Sequence, residues 1–404
     1  MVSVYPLGTT IYRPDGCANG YTLVGTSPRG FELVDMGGSV VHRWQHRGEQ
    51  FYHYQLLANG HLVLQETEWR DEERVGMGRG LIREYDWEGA LVWEFPLPDG
   101  YLACSIGERL ANGNTLTGAK VAVPVAEKRR ITDPRLRRIE PILSDALLEV
   151  TPGGEVVWEW HAYQHLDLNR YFAADSFDLP GGWNWTHFNC QQALPENRWY
   201  DAGDERFRPG NVLVSPRTLG SIFVVDRRTG EVVWEYTGNY MGGLAGQHCP
   251  RMVPKGMPGE GNIVLVDNGS PPIREIMHTA RTFILEVNPV TEHVEWIYRE
   301  AAYLRFYVPF AGDVQRLPNG NTLITENFGN RIFEVTREGE IVWEYALLAE
   351  GLSVHGYRYP YDHCPQMGSL PPPREEAVVP PAHVDAKSAT SEVAAFDLAS
   401  QQKG

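Results

Sequence analysis

Four histidines, one arginine and a few amide and acid side chains of this 404-residue chain have the types and spacing from which chemistry can be built. His53 lies in FYHYQLL, His187 in WTHFNCQQAL and His248 in GQHCPRMV; His363 ends GYRYPYDH, which also contains Tyr357. Beside these runs stand Arg217 in SPRTLG, Asp267 and Asn268 in VDNG, and Asn327 in ENFGN. Neutral imidazoles, an amide and a guanidinium in one place suit an anionic tetrahedral group. Arginine supplies a fork of donors, Asn and one His give single donors, and a second His can attack or move a proton. The four histidines equally offer nitrogen ligands to a divalent transition metal, since imidazole suits Zn, Fe, Cu or Ni. His42, His46, His61, His161, His165, His278 and His293 read instead as packed or surface side chains.

Residues so far apart need a repeated scaffold to bring them together, and the sequence contains one. GEVVWEY at 230–236 has near-copies in WEGALVWEF, PGGEVVWEW and EGEIVWEY, and weaker ones in MGGSVVHRW and VTEHVEWIY. Each copy follows a short run such as LLEV, ILEV or IFEV across a Gly-containing or polar turn. Alternating Val, Ile, Trp and Tyr suit a half-buried strand, so each copy reads as the second strand of a hairpin. A second element recurs in phase, with a Gly-centred turn between apolar runs: LLANGHLVL, RLANGNTL, FRPGNVLVS, GEGNIVLVD and RLPNGNTLIT. Trp44, Trp93, Trp158, Trp234, Trp296 and Trp343 fall about 45 to 75 residues apart, the length of one four-stranded blade with its loops. The expectation is an all-β fold, a six-bladed β-propeller.

Residues 17–44 supply three strands of a blade, and VHGYRYPYDH at 354–363 is the strand-like run left over. The ring is therefore expected to close by N- and C-terminal strands sharing one blade, which removes exposed sheet edges. Residues 1–367 form one propeller domain on this reading, and the Pro/Ala-rich stretch 368–404 a disordered tail. Long insertions at 67–80, 119–145, 161–183 and 270–281 are expected on the face where the inner strands begin, covering a pocket. The basic residues at 128–138 on such a lid could draw in an anion. Tyr52, Tyr54, Phe188, Phe306, Tyr307, Phe310, Trp183 and Trp185 offer aromatic surface near its mouth, which fits stacking of a planar ligand or blade packing.

A net charge of −16 argues against a nucleic-acid groove, which needs clustered Lys and Arg. No run approaches a membrane span, and the amino terminus lacks a signal-peptide pattern, so no membrane partner and a cytoplasmic location are expected. Five scattered cysteines without a C-x-x-C pair point to a reducing compartment and away from a disulfide framework.

The motifs WTHFN, SPRTLGSIFVVDRRTGEVVWEYTG, GQH and VLVDNG resemble the arylsulfotransferase family, the PAPS-independent aryl-sulfate sulfotransferases built on a six-bladed propeller. The resemblance extends over nearly all of residues 8–363. It implies that a channel histidine attacks the sulfur of an aryl sulfate, forming a sulfohistidine from which a phenol collects the group. By position the nucleophile is His248, and His187, Asn189 and Arg217 hold the sulfate, with no cofactor. His53, Cys104, Asn268 and Tyr357 complete the expected substrate contacts. Cys104 and Ser105 stand where the family usually carries a His-containing segment, and Cys249 follows the GQH histidine. Three function classes stay open: sulfuryl transfer, a metal-dependent lyase, hydrolase or oxygenase using His53, His187, His248 and His363, and a non-catalytic binding propeller. A small aromatic or anionic molecule is the expected partner, and the oligomeric state is not legible.

Overall fold

A computed structural model describes residues 7–26, 30–45, 50–68, 78–170, 183–269, 281–300, 305–327, 329–347 and 354–379. The fold is all-β and propeller-like, with antiparallel meanders and a few short helical turns. Three sheets have four strands each, one has five, and a nine-stranded sheet contains two meanders joined at the single pair Arg79↔Leu102. Among the described residues no helix is long and apolar enough to cross a membrane.

Burial explains the composition of each strand. Second strands such as Val212–Pro216 and Ile263–Asp267 are buried along their whole length, and accordingly open on consecutive apolar residues, VLV and IVLV. Outermost strands such as Leu91–Pro96 and Val156–His161 alternate half-buried with exposed positions, the pattern of a strand with one wet face. The first strands of successive meanders, Gln50–Leu56, Tyr101–Arg109, Phe188–Ala193, His248–Met252, Asp313–Arg316 and Val354–Tyr359, neighbour one another in that order and line the axis.

The expected joining of the chain ends is present. Val354–Tyr359 pairs antiparallel with Tyr21–Thr26 from Tyr21↔Tyr359 to Thr26↔Val354, followed by Gly30–Val34 and Val40–Trp44. An unforeseen strand, Gly8–Tyr12, crosses to the preceding sheet and pairs with Ile341–Ala346. Residues 368–379, placed by the sequence in a tail, run along this seam: Val378 exchanges backbone hydrogen bonds with Tyr12 at 2.8 and 2.9 Å, and Arg374 N–H donates to Asp35.

The repeated tryptophans staple one sheet to the next. Trp44 donates its indole N–H to Asp86 O, Trp93 to Pro152 O, Trp160 to Gly230 O, Trp234 to Pro289 O and Trp296 to Arg337 O, at 2.7–3.1 Å. Trp343 returns the series to Met36 O at 2.9 Å. Each acceptor is a turn carbonyl of the following hairpin, so an otherwise unpaired polar group finds a donor. Trp160 rather than Trp158 performs this role in its sheet; the Trp158 ring lies under the Arg227 guanidinium instead. The glutamates of LLEV, ILEV and IFEV serve a second tie: Glu149 accepts from Asn114, Glu286 from Asn262 and Glu334 from Asn321, the asparagines of the Gly-centred turns.

The insertion at 119–145 extends two strands and then folds on itself. Four of its cations are engaged: Lys128 with Glu140, Arg130 with Glu127, Arg135 with Asp133, and Arg137 with Ile131 O. Arg129 and Arg138 are exposed and have no ion-pair partner among the described residues. Residues 69–77, 171–182 and 270–280 of the other insertions lie outside the described residues.

Candidate active site on the channel axis

Local backbone geometry fixes the leading ends of two inner strands. His187 precedes Phe188–Ala193 in a left-handed conformation, φ 50°, and Cys249, the second residue of His248–Met252, adopts φ 46°. Ala311, just ahead of Asp313–Arg316, has φ 58°. Non-glycine residues rarely occupy this region, and such positions gather at functional sites. Here all three surround the axis.

Arg217 follows the strand Val212–Pro216 and donates its backbone N–H to His187 O at 3.1 Å, which ties it to the same corner. Its half-buried guanidinium has no hydrogen-bond or ion-pair partner among the described residues, and burial lowers its pKa. His187 Nδ1 accepts from the Asn184 amide at 3.1 Å. With the Asn184 amide nitrogen facing Nδ1, the proton sits on Nε2, for which the described residues supply no acceptor. Burial, reinforced by Lys120, Arg217 and His248, holds the His187 imidazole well below its usual range, so it is neutral.

The tautomer of His248 follows from its neighbours. Asn268 donates through Nδ2 to Val308 O at 2.7 Å and Ala311 O at 2.9 Å, so its Oδ1 faces His248 Nδ1 at 2.7 Å. Gly246 O lies 2.8 Å from the same nitrogen. Two acceptors on Nδ1 require the proton there, leaving the lone pair on Nε2. That lone pair meets Ala311 N–H at 3.1 Å. Burial, then Arg217, pushes the His248 pKa down to about 3. Asn268 is thus the residue that orients His248, and is itself fully buried.

Asn189 donates to Gln247 O at 2.7 Å, joining two inner strands, and its Oδ1 is buried without a partner. Cys104 lies one layer behind: its thiol is 3.1 Å from Asp145 Oδ1 and 3.0 Å from Phe188 O. Asp145 also receives Lys120 at 2.6 Å, Thr186 at 2.6 Å and Phe188 N–H at 2.9 Å. This buried knot holds the backbone that carries His187.

His53 and Tyr357 belong to a different cluster, deeper along the axis. His53 Nδ1 is 3.1 Å from the Tyr357 hydroxyl and 3.5 Å from Asp313 Oδ2. Asp313 also receives Tyr357, His355 Nδ1 at 3.3 Å, and Arg251 at 3.4 Å. Arg251, with the His355 and His53 contacts, holds the Asp313 carboxyl well below the usual carboxylate range despite burial. Burial and the nearby His355 lower His53 to about 4. His363 does not join these histidines: its Nε2 contacts Leu56 O at 3.0 Å and its ring lies against Tyr359. The four-histidine metal set is therefore not assembled, and His355, unremarked in the sequence, stands beside His53 instead.

A further departure is Cys190–Cys249, which form a disulfide with Cα atoms 5.0 Å apart. The two are 59 residues apart in sequence, and only the adjacency of their inner strands brings them together. The expectation of no disulfide fails for that reason. Most of the aromatic residues also serve packing: Trp183, Trp185, Phe188 and Phe306 are buried in hydrophobic clusters, and the Tyr54 hydroxyl donates to His355 O and accepts from Gly25 N–H. The Tyr52 side chain lies outside the described residues.

The trailing ends of the inner strands line a cavity of about 670 Å³. Its wall carries Gln55, Glu108, Gln192, Arg251, Gln315 and Tyr357, one from each inner strand. Four of them clasp the next strand: Gln55 accepts from Arg109 N–H, Glu108 from Ala193 N–H, Gln192 from Met252 N–H and Gln315 from Arg358 N–H, at 2.8–2.9 Å. The signal was present in the sequence, since each residue stands two ahead of Leu-Ala, Leu-Pro, Val-Pro or Tyr-Pro. Burial raises the Glu108 pKa to about 7.

An all-β propeller with two neutral histidines on its axis, and near both a guanidinium without a partner among the described residues, is a class of protein suited to holding a small anion. The sequence matches the family described as arylsulfotransferase (ASST) over residues 53–347. The chain belongs to the arylsulfotransferase family. Among curated proteins none matches. Among solved structures, a protein of unknown function from Bacteroides caccae is 12% identical with a TM-score of 0.50, covering 83% of this chain and 97% of that one. A streptogramin B lyase is 12% identical, TM-score 0.43, covering 85% and 88%. A catalytically inactive virginiamycin B lyase variant from Staphylococcus aureus with quinupristin is 9% identical, TM-score 0.43, covering 87% and 98%. At these identities the likeness concerns the fold alone.

Proposed function

We propose that this chain is a six-bladed propeller enzyme that transfers a sulfuryl group from an aryl sulfate to a phenolic acceptor, using His248 as the nucleophile. The nine-stranded sheet counts as two blades, and the return of the tryptophan series from Trp343 to Met36 O supports a ring of six. The observation that carries the chemistry is Arg217, a half-buried guanidinium without a protein partner among the described residues, beside His187 Nε2–H, a second donor without an acceptor. A buried cation left unpaired is costly, and a bound anion offsets that cost.

Sulfate oxygens held by Arg217 and His187 leave the sulfur facing His248 Nε2. The lone pair attacks sulfur, the S–O bond to the aryl group breaks, and the phenol leaves as phenolate. The acceptor phenol gives up its proton, which passes through solvent to the released phenolate; its oxygen attacks the sulfur of sulfohistidine, the N–S bond breaks, and the imidazole regains its lone pair. Asn268 keeps the proton on Nδ1 throughout. Attack requires the Ala311 N–H to release the lone pair, and the left-handed Ala311 backbone is the element that must move.

Intact mass after brief exposure to an aryl sulfate tests this. The wild type should gain one acid-labile sulfuryl group, and His248→Ala should gain none and lose turnover. Turnover by the wild type without any adduct would remove the covalent mechanism.

A further inference from the structure

The Cys190–Cys249 pair is part of a second arrangement that sulfuryl transfer does not use. His53 Nε2 lies 3.6 Å from Cys190 Sγ and 3.9 Å from Cys249 Sγ, all three residues being buried. A tetrahedral zinc ion with Zn–S of about 2.3 Å and Zn–N of about 2.0–2.1 Å places its N and S ligands about 3.5 Å apart. The nitrogen already stands at that separation. Only the two sulfurs, now bonded, must part to about 3.8 Å, across a Cα separation of 5.0 Å.

We propose that, once the disulfide is reduced, Cys190, Cys249 and His53 Nε2 bind one thiophilic metal ion such as Zn²⁺ on the channel axis. A dithiol supplies the two electrons and two protons that open the disulfide and itself becomes a disulfide. The metal then binds two thiolates, displacing both thiol protons to solvent.

Two further observations fit a ligand role for His53. Its other nitrogen, Nδ1, is engaged by the Tyr357 hydroxyl at 3.1 Å, with Asp313 behind it at 3.5 Å. A metal-bound histidine is usually oriented by such a partner on its distal nitrogen. His53 also lines the 670 Å³ cavity, which gives its ring an approach from that side, whereas neither cysteine lines it. The neighbouring trio His53, Asp313 and His355 is less suited, because the Arg251 guanidinium already lies 3.4 Å from Asp313 and would repel a metal cation. The site is independent of the sulfuryl-transfer reading.

The full chain, reduced with a dithiol and freed of it anaerobically, is titrated with Co²⁺. About one equivalent should bind with the near-ultraviolet thiolate-to-cobalt absorption of a sulfur-ligated ion, and the oxidised protein should show no such band. His53→Ala should weaken binding at least 10-fold, and Tyr357→Phe about 10-fold, as for loss of an orienting partner. The comparison of reduced with oxidised wild type requires no variant to fold. A reduced protein without the thiolate band, or one whose affinity is unchanged in His53→Ala, would overturn the assignment. The sulfohistidine adduct is read separately by mass, so either result stands without the other.

Discussion

The two ends of the channel are built from similar residue types and differ in what those residues have left to offer. At the trailing ends, Gln55, Glu108, Gln192 and Gln315 each spend an oxygen on the backbone of the next strand, and Arg251 and Tyr357 turn to Asp313. At the leading ends, Arg217 and His187 Nε2 keep donors for which the described residues provide nothing. The large cavity thus lies over a satisfied wall, and the smaller cluster of unsatisfied donors lies at the other end. Volume marks where a molecule fits, whereas unspent hydrogen-bonding capacity marks where an anion is held.

Removing the Arg217 charge should test that contrast most strongly. Arg217→Ala is expected to lower kcat/KM for an aryl sulfate by roughly 100-fold or more, as for loss of one charge-stabilising donor. Its thermal midpoint should not fall, since no protein partner is lost among the described residues. A fall in stability with activity kept would make Arg217 a structural residue.

The pH behaviour of the two ends should also separate. With its pKa near 3, His248 keeps its lone pair across the neutral range, so the acid limb of kcat/KM attributable to it belongs near pH 3 rather than 6.5. Glu108 acts in the opposite sense. A folded-state pKa raised to about 7 contributes stability that is fully present below its unfolded value near 4.5 and is lost as pH rises through 7. Thermal melts from pH 5 to 8 should show this decline in the wild type and its loss in Glu108→Gln. An inflection near pH 7 in kcat/KM that vanishes in Glu108→Gln would couple the two ends.

The smallest effect is expected from the clasps. Gln192→Ala leaves Met252 N–H without its acceptor and should cost about 1 kcal/mol of stability, with turnover within about 3-fold of wild type. Denaturant midpoints read the first and initial rates the second. A large loss of activity would show that the clasp wall shapes the reacting end.

Much of this was legible because the repeat is written in local chemistry. Alternating VVWEY-type strands and Gly-centred turns specify meanders, and the leftover run 354–363 pointed to the pairing with Tyr21–Thr26. That His187, Arg217 and His248 lie near one another was legible because each stands at the start of an inner strand or in the loop beside it. Contacts between strands remote in sequence were not legible. Nothing in HCPRM or FNCQQ announces that Cys190 and Cys249 meet, and nothing in VHGYRY separates His355, which reaches Asp313, from the more distant His363. The role of Asn268 was likewise misplaced, since an amide facing a histidine and an amide facing substrate look identical in VDNG.

The tryptophan series has a consequence for how the molecule comes apart. Each indole is rooted in one sheet and bonded to the next, and one of these bonds, Trp343 to Met36 O, crosses the place where the chain has no covalent continuity. There the two ends overlap like a lap joint: Gly8–Tyr12 lies on the last sheet, Val354–Tyr359 on the first, and Val378 is laid over Tyr12. A ring fastened in this way has no designated first sheet to fray, so loosening any one sheet loads both its neighbours.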